Sequence, residues 1–182
     1  MSVNVYLGLL HYPVYNKHGD IVTTSITNLD IHDIARSCKT YAIKKFFIIT
    51  PLESQKLLLN RILKFWKSDI AKKYNNDRVV ALSLIEYAAD IESAVKKISL
   101  QEDECLIVST TAVSLLNQIS LNDLKGKNKS VLLLFGTGNG LTKDIHRQAD
   151  HVLKPIEGKG DYNHLSVRSA VAVVLDRLSS EK

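Results

Sequence analysis

Hydrophobic residues along this chain form short continuous runs, and the stretches between the runs carry apolar residues at helical spacing. Short apolar runs bounded by turn residues predict buried strands. The predicted strands are Val3–Leu10, Lys44–Thr50, Arg78–Ile85, Glu104–Ser109, Ser130–Phe135 and His151–Leu153, with a shorter extended piece at Ile21–Thr27. Because the runs are apolar at successive positions, they are typical of a parallel sheet covered by helices on both faces.

The stretches between the strands predict helices. The first is expected to begin near Asn28 or Asp30, because either side chain supplies an N-cap oxygen. The others are Glu53–Tyr74, Asp90–Leu100, Val113–Leu124, Leu141–Ala149 and Asp161–Leu178. Alternating strands and helices predict an α/β fold in a single domain spanning residues 1–182.

The last predicted helix, Asp161–Leu178, is apolar almost all round and polar at its start. A helix of that kind is buried in a core or against another subunit. Asn163 or Ser166 is expected to cap it. Its positive end then opens beside the loop that precedes it, a favourable place for ligand chemistry.

Composition narrows the class of protein without defining its chemistry. Hydrophobic residues make up 45% and charged residues 24% of the 182 positions, as in soluble globular proteins. No apolar run reaches the ~18 residues of a membrane span. The N-terminus is interpreted as a first strand and not as a signal peptide. Two widely spaced cysteines favour the cytoplasm, and a net charge of +5 permits an anionic partner such as RNA without requiring one.

Two glycine-containing loops are candidates for ligand binding. Gly136, Gly138 and Gly140 follow a buried strand, at the strand end where parallel sheets bind ligands. Pro155, Gly158 and Gly160 shape the loop before the last helix. A plain strand-to-helix turn and a purely structural loop are the respective alternatives. The first loop differs from a nicotinamide fingerprint, which follows the first strand.

A third candidate is the polar start of the first helix, which carries Asn28, Asp30, His32, Asp33 and Arg36. Asp33 lies three positions before Arg36, and a simple surface ion pair is the ordinary explanation of both residues. The six histidines form no HExxH or similar pattern, and the chain has neither a P-loop nor a G-x-S-x-G elbow. No metal site is therefore expected.

Taken in order, these three stretches resemble the motifs of the SPOUT class of RNA methyltransferases. TNLDIHDIARSCKTYAIKKFFIIT is similar to the first class motif, LLLFGTGNGL to the second, and LKPIEGKGDYNHLSVRSAVAVVL to the third. GLLHYPV, TNLDIHDIARS and DYNHLSVRSA are more narrowly similar to a small bacterial branch of predicted RNA methyltransferases.

The resemblance implies a deep trefoil knot over about residues 105–178, a homodimer, and S-adenosyl-L-methionine bound by backbone groups of three loops. Arg36 matches the arginine of the first motif, which activates a ribose hydroxyl or holds its phosphate in ribose-methylating relatives. Carried onto this chain, the cofactor loops contain Ser109, Thr110, Thr111, Phe135, Gly136, Gly138, Gly140, Pro155, Ile156, Gly158, Leu165, Ser166 and Val167.

The expected function is methyl transfer to a nucleotide of tRNA or rRNA, in which positioning and deprotonation are most of the catalytic work. Asp161 or Asp33 is the candidate base if the target is a guanine nitrogen. The chain departs from the class pattern at Asp30, Thr137 and His164, among other positions, so the methylated atom stays open. The alternatives are a non-catalytic knotted RNA-binding module and a nucleotide-binding α/β domain.

Overall fold

The fold is built on a parallel sheet, seen in a computed structural model that describes residues 4–160 and 162–180. The sheet has seven strands in the order β5-β4-β1-β8-β6-β9-β7, and every neighbouring pair is parallel. A separate antiparallel hairpin pairs β2 with β3. The strands are β1 Val5–Leu10, β2 Val14–Tyr15, β3 Ile21–Val22, β4 Phe46–Ile49, β5 Ile85–Ala88, β6 Cys105–Ser109, β7 Gln118–Ile119, β8 Ser130–Gly136 and β9 His151–Leu153.

Helices cover both faces of this sheet. They are α1 Asn28–Thr40, α2 Glu53–Trp66, α3 Asp69–Tyr74, α4 Asn76–Leu82, α5 Ile91–Ile98, α6 Leu121–Lys125, α7 Lys143–Gln148 and α8 Val167–Ser179. One core joins alternate sheet residues such as Leu133 to α1, α4 and α8, and the other joins residues such as Leu134 to α5 and α7. The predicted α/β fold with a two-sided parallel sheet is therefore confirmed. Within the described residues, no helix has the length and apolar character needed to cross a bilayer.

The predicted strand Arg78–Ile85 is wrong. Residues Asn76–Leu82 form α4, and the strand begins only at Ile85. The side chain of Asn75 accepts a hydrogen bond from the Arg78 amide at 2.9 Å, which caps the helix. A short run such as RVVALSLI fits a buried strand and a buried helix equally well, so periodicity alone does not separate them.

The predicted helix Val113–Leu124 is also wrong. Its second half divides into β7 and the five-residue helix α6, whose N-cap Ser120 forms a reciprocal capping box with Asp123. The preceding residues are a loop held by Gln118, whose side-chain oxygen accepts from the Leu115 amide at 2.8 Å. Within this loop Val113, Leu115 and Leu116 are 64%, 44% and 91% exposed, so these three apolar residues are not core residues.

Capping side chains set the other helix boundaries. The long helix predicted over Glu53–Tyr74 is broken, because Ser68 accepts from the Ala71 amide and starts α3. Thr27 caps α1 in place of Asn28 or Asp30. Ser166 caps α8, as one of the two predicted alternatives. The beginning predicted at Asp161 falls on a residue outside the described part of the chain.

Candidate functional site

The carboxyl ends of β6, β8 and β9 lie together at one edge of the sheet. Ser109, at the end of β6, is in register with Leu134 on β8 and with Val152 on β9. Three connections leave this edge: residues 110–117 (the β6 loop), 137–140 (the glycine loop) and 154–166 (the β9 loop). This is the edge at which open parallel sheets bind ligands.

Hydrogen bonds fix the start of the β6 loop against β8. The Thr110 amide and hydroxyl donate to the Leu134 carbonyl at 3.0 and 2.9 Å. The Ser109 hydroxyl is fully buried and lies 2.9 Å from Nδ1 of His146. Thr111 Oγ1 accepts from the Val113 amide at 3.2 Å. The side chains of Ser109, Thr110 and Thr111 are therefore engaged within the protein.

The β9 loop is joined to the β6 loop. The Lys154 amide donates to the Ile119 carbonyl at 2.9 Å. Nε2 of Gln118 donates to the Leu153 carbonyl at 3.1 Å, and Nδ2 of Asn163 donates to the Ala112 carbonyl at 3.5 Å. The two loops therefore form one connected surface.

The glycine loop is held by the β2–β3 hairpin. The Tyr15 amide donates to the Gly140 carbonyl at 2.9 Å, and the Asn139 amide donates to the Tyr15 carbonyl at 2.8 Å. The Thr137 amide and hydroxyl both donate to the Leu10 carbonyl. The resemblance implies that backbone groups of this loop bind the cofactor, but the Thr137, Asn139 and Gly140 amides are bonded within the protein.

Glycine occupies positions 138 and 140 of this loop for different structural reasons. Gly138 has φ +58°, and an added Cβ would lie 2.7 Å from the Tyr15 carbonyl oxygen. That glycine is required by the hairpin behind the loop. Gly140 has φ +100°, and an added Cβ would meet no atom within 4 Å. Open space therefore adjoins the loop at Gly140, where only glycine takes the backbone conformation without strain.

A series of hydrogen bonds between polar side chains supports the glycine loop. Nδ1 of His11 lies 3.1 Å from Thr24 Oγ1, which contacts Thr137 Oγ1. Since the Thr137 hydroxyl donates to the Leu10 carbonyl, it accepts from Thr24, and Thr24 in turn accepts from His11. This order places the His11 proton on Nδ1. Burial lowers the pKa of His11 to about 4, partly offset by nearby Asp30.

Arg168 joins the predicted first and third motifs. Its guanidinium on α8 lies 3.7 Å from a carboxylate oxygen of Asp30 and 3.7 Å from one of Asp33, both on α1. The Asp33 carboxylate is half-exposed and the Asp30 carboxylate is largely buried. The ion pair considered between Asp33 and Arg36 is wrong, because Asp33 pairs with Arg168. Arg36 lies on α1 with an exposed side chain.

The remaining predicted cofactor residues differ in what they offer. Phe135 is buried in the core and Ile156 packs against it, so their side chains are structural. Ser166 is engaged as the cap of α8, and Leu165 is 49% exposed. Gly136 is constrained by packing, since an added Cβ would lie 2.7 Å from the Leu141 amide. The other positions lie on the β9 loop or the start of α8: Pro155, Gly158 and Val167.

A cavity of about 420 Å³ lies at the opposite edge of the sheet. Lys44, Val131 and Leu178 are among its lining residues, and none of the three loops contributes to it. The cavity is therefore separate from the loop edge.

Across residues 4–160 and 162–180, no group of three or more His, Cys, Asp or Glu side chains is placed to hold a metal ion.

Sequence reasoning missed Thr24 and Arg168, and it gave His11 no role in the site. GLLHYPV contains His11 and LSVRSA contains Arg168, so both residues lie in stretches that resemble the sequence motifs of the family. Thr24 and Thr137 are 113 positions apart, and no spacing signal connects them. Only the tertiary structure brings these side chains together.

This chain was compared with protein-family models, with related sequences and with solved structures. A family model described as SAM-dependent RNA methyltransferase matches residues 4–180. An uncharacterized protein of Aquifex aeolicus is 37% identical over 99% of this chain and 90% of its own length. A tRNA (guanine-N(1)-)-methyltransferase of Oleidesulfovibrio alaskensis is 38% identical over 96% of this chain, which spans only 42% of that protein.

Solved structures share the fold at low identity. The Aquifex aeolicus TrmH/SpoU tRNA modifying enzyme has a TM-score of 0.60 and 14% identity, over 98% of this chain and 74% of that one. The SpoU methyltransferase AviRb of Streptomyces viridochromogenes, solved with AdoMet, has a TM-score of 0.57 and 14% identity, over 98% of this chain and 57% of that one. The predicted SPOUT-class resemblance is confirmed by these findings.

Proposed function

Because this chain belongs to the family of SAM-dependent RNA methyltransferases, we propose that its three loops hold S-adenosylmethionine and that it methylates N1 of a guanine in tRNA. The atom and the RNA are suggested by the names of two relatives, each 38% identical, of which this chain spans 42%. Methyl transfer to RNA follows from the family, and the predicted cofactor is confirmed with it.

The single observation that carries the proposal is the Arg168–Asp33 contact. It places a carboxylate of the first motif beside the helix that follows the β9 loop. In guanine N1 methylation a proton must leave the nitrogen, and a positioned carboxylate accepts it. A ribose hydroxyl has a much higher pKa and is less suited to a carboxylate base.

The loop edge fits a cofactor recognised through backbone groups. The open space beside Gly140 lets a ligand approach the main chain closely. Asn163 of the β9 loop donates to the Ala112 carbonyl of the β6 loop, and both loops leave the same edge. When bound, S-adenosylmethionine supplies an electrophilic methyl group on a sulfonium.

In the proposed reaction Asp33 would accept the proton that leaves guanine N1, and S-adenosylmethionine held by the three loops would supply the methyl group that replaces it. Arg168 orients that carboxylate from α8. Arg36, exposed on α1, offsets negative charge that develops on the guanine. Asp161 is the alternative proton acceptor, and it lies outside the described residues.

We further propose the trefoil knot over about residues 105–178 and a homodimer. The β9 loop supports the first, because Asn163 contacts the β6 loop before the chain enters α8. The exposed apolar side chains of Leu116 and Leu165, next to these loops, support the second. Free Cys38 and Cys105 are compatible with a reducing cytoplasm, where we place the protein.

Calorimetry and nucleoside analysis test this function. The protein should bind S-adenosylmethionine and transfer its methyl group to tRNA, producing 1-methylguanosine detected by mass spectrometry. A methylated ribose, or a methyl group on another base atom, would contradict the guanine N1 assignment. Cofactor binding without any transfer to tRNA or rRNA would contradict the proposed target.

A further inference from the structure

Positive charge is concentrated on the helices that cover one end of the sheet. Residues 53–82, which include α2, α3 and α4, contain seven Lys or Arg and three Asp or Glu, and so carry +4 of the chain's net +5. A strongly uneven charge distribution attracts an anionic partner to the charged side.

Six of the seven cations of this region fall into two groups, and the seventh, Arg78, packs against the Trp66 ring. Lys56 pairs with Glu53 and Lys72 pairs with Asp69, each at 3.1 Å. A second group is exposed and has no acidic side chain within 4.0 Å among the described residues; it consists of Arg61, Lys64, Lys67 and Lys73. These four cations remain available to phosphate groups.

Two aromatic side chains stand among these free cations. Phe65 is 52% exposed at the end of α2, and Tyr74 is 78% exposed at the end of α3. Exposed aromatic rings beside cations are the arrangement that binds unpaired nucleobases, because every base can stack on such a ring. We call Arg61, Lys64, Phe65, Lys67, Lys73 and Tyr74 the α2–α3 face.

Aromatic contacts connect this face to the helix that carries the proposed base. His32, next to Asp33 on α1, lies 5.2 Å from Trp66 ring to ring, and Trp66 lies 5.4 Å from Phe65, both edge to face. The Arg78 guanidinium covers Trp66 at 5.5 Å. Packing of this kind holds the exposed ring of Phe65 in a fixed relation to α1.

We propose that the α2–α3 face binds an unpaired segment of the RNA substrate, with Phe65 and Tyr74 stacking on bases and the four free cations contacting phosphates. The inference rests on the proposed function for its RNA partner. The excess of cations favours RNA over a neutral apolar protein surface. A second protein segment on this face is the competing occupant, and the experiment distinguishes it.

The test measures binding of the full chain to a fluorescein-labelled tRNA transcript by anisotropy at several salt concentrations. Lys64→Glu/Lys73→Glu should weaken binding about tenfold or more and should lower the slope of log affinity against log salt by about 1 to 2. The matched control is Lys39→Glu/Lys127→Glu, which changes the same charge at exposed positions elsewhere. If the control weakens binding equally, the face is not the site and the proposal is overturned.

The aromatic variants separate stacking from protein contact. Phe65→Leu should weaken RNA binding about 5- to 100-fold, whereas Phe65→Tyr should retain it. Leu100→Ala, at an apolar side chain that is 85% exposed, is the control and should have no effect. Equal RNA affinity of Phe65→Leu and wild type, or a change in its oligomeric state by light scattering, would overturn the proposal.

Calorimetry with S-adenosylmethionine on the same samples keeps this proposal distinct from the proposed function. All variants should bind the cofactor like wild type, because the α2–α3 face is formed by elements other than the three loops. Failure of the wild-type protein to bind the cofactor would contradict the cofactor site alone. Failure of the wild-type protein to bind RNA would overturn the proposal that the α2–α3 face binds RNA.

Discussion

Arg168 on the last helix forms an ion pair with Asp33 on the first helix, with Nε and Oδ2 3.7 Å apart. The two residues are 135 positions apart and belong to different motifs of the family. The same guanidinium also contacts Asp30. The start of α1 is thereby held against the start of α8, at the helix end next to the β9 loop.

The first prediction concerns this pair. Asp33→Asn should reduce methyl transfer by about 100-fold or more, because the amide cannot accept the guanine proton. Its affinity for S-adenosylmethionine should be unchanged by calorimetry. Arg168→Leu should reduce kcat through loss of orientation, and Arg168→Lys should restore only part of it, since an ammonium lacks the planar fork. Full activity of Asp33→Asn would assign the base to another residue.

Arg36 provides the second prediction. Arg36→Ala should spare cofactor binding, because an exposed side chain on α1 contributes little to packing. It should abolish turnover, because the positive charge that offsets negative charge on the guanine is lost. Single-turnover transfer of a labelled methyl group to tRNA is the measurement. Arg36→Lys, which keeps the charge, is the matched control. Unchanged turnover in the alanine variant would refute the role.

The third prediction tests the contact between Thr24 and the buried Thr137 of the glycine loop. Thr24→Val and Thr137→Val each remove one hydroxyl from a chain that ends on the Leu10 carbonyl. Each should lower the free energy of unfolding by about 1–3 kcal/mol, since a buried partner is left unpaired. The double variant should show a coupling energy of about 0.5–3 kcal/mol in urea denaturation. Simple additivity would mean that the hydroxyls act separately.

His11 provides the fourth prediction, on stability and pH. Burial lowers its pKa from 6.5 to about 4, so the folded protein resists a proton that the unfolded chain accepts. As the pH is lowered from 6.5 to 4, the contribution of His11 to the free energy of unfolding should therefore decrease, by about 3 kcal/mol in total. Above pH 6.5 the contribution is constant. His11→Asn, which keeps a donor toward Thr24, should remove this part of the acid destabilisation when urea denaturation is repeated across pH.

Gly138 is the subject of the fifth prediction. Gly138→Ala should lower the free energy of unfolding by about 2 kcal/mol or more, because the added Cβ meets the Tyr15 carbonyl oxygen at a positive φ. Gly126→Ala is the control, since its φ is −67° and its nearest contact would be an ordinary 3.5 Å. Equal thermal stability of the two variants would show that the hairpin yields to the added methyl group.

The two elements that were predicted with the wrong secondary structure share one cause. RVVALSLI and VSLLNQISL are short apolar runs, in which local pattern fits more than one structure. Asn75 and Ser120 decide the outcome by capping helices that are only seven and five residues long. Longer or more regular stretches, such as β8 and α5, were predicted within a few residues.

The sequence by itself determined the alternation of strands and helices, the two-sided parallel sheet, and the family whose motifs follow in order. These depend on local periodicity and on short motifs, which a linear chain displays directly. The tertiary structure alone decided that Arg168 holds Asp33 and that Thr24 supports Thr137, because such pairs are set by sheet register and helix packing. Contacts across more than a hundred positions leave no trace in local spacing, so the site became visible only when the strand ends were brought to one edge.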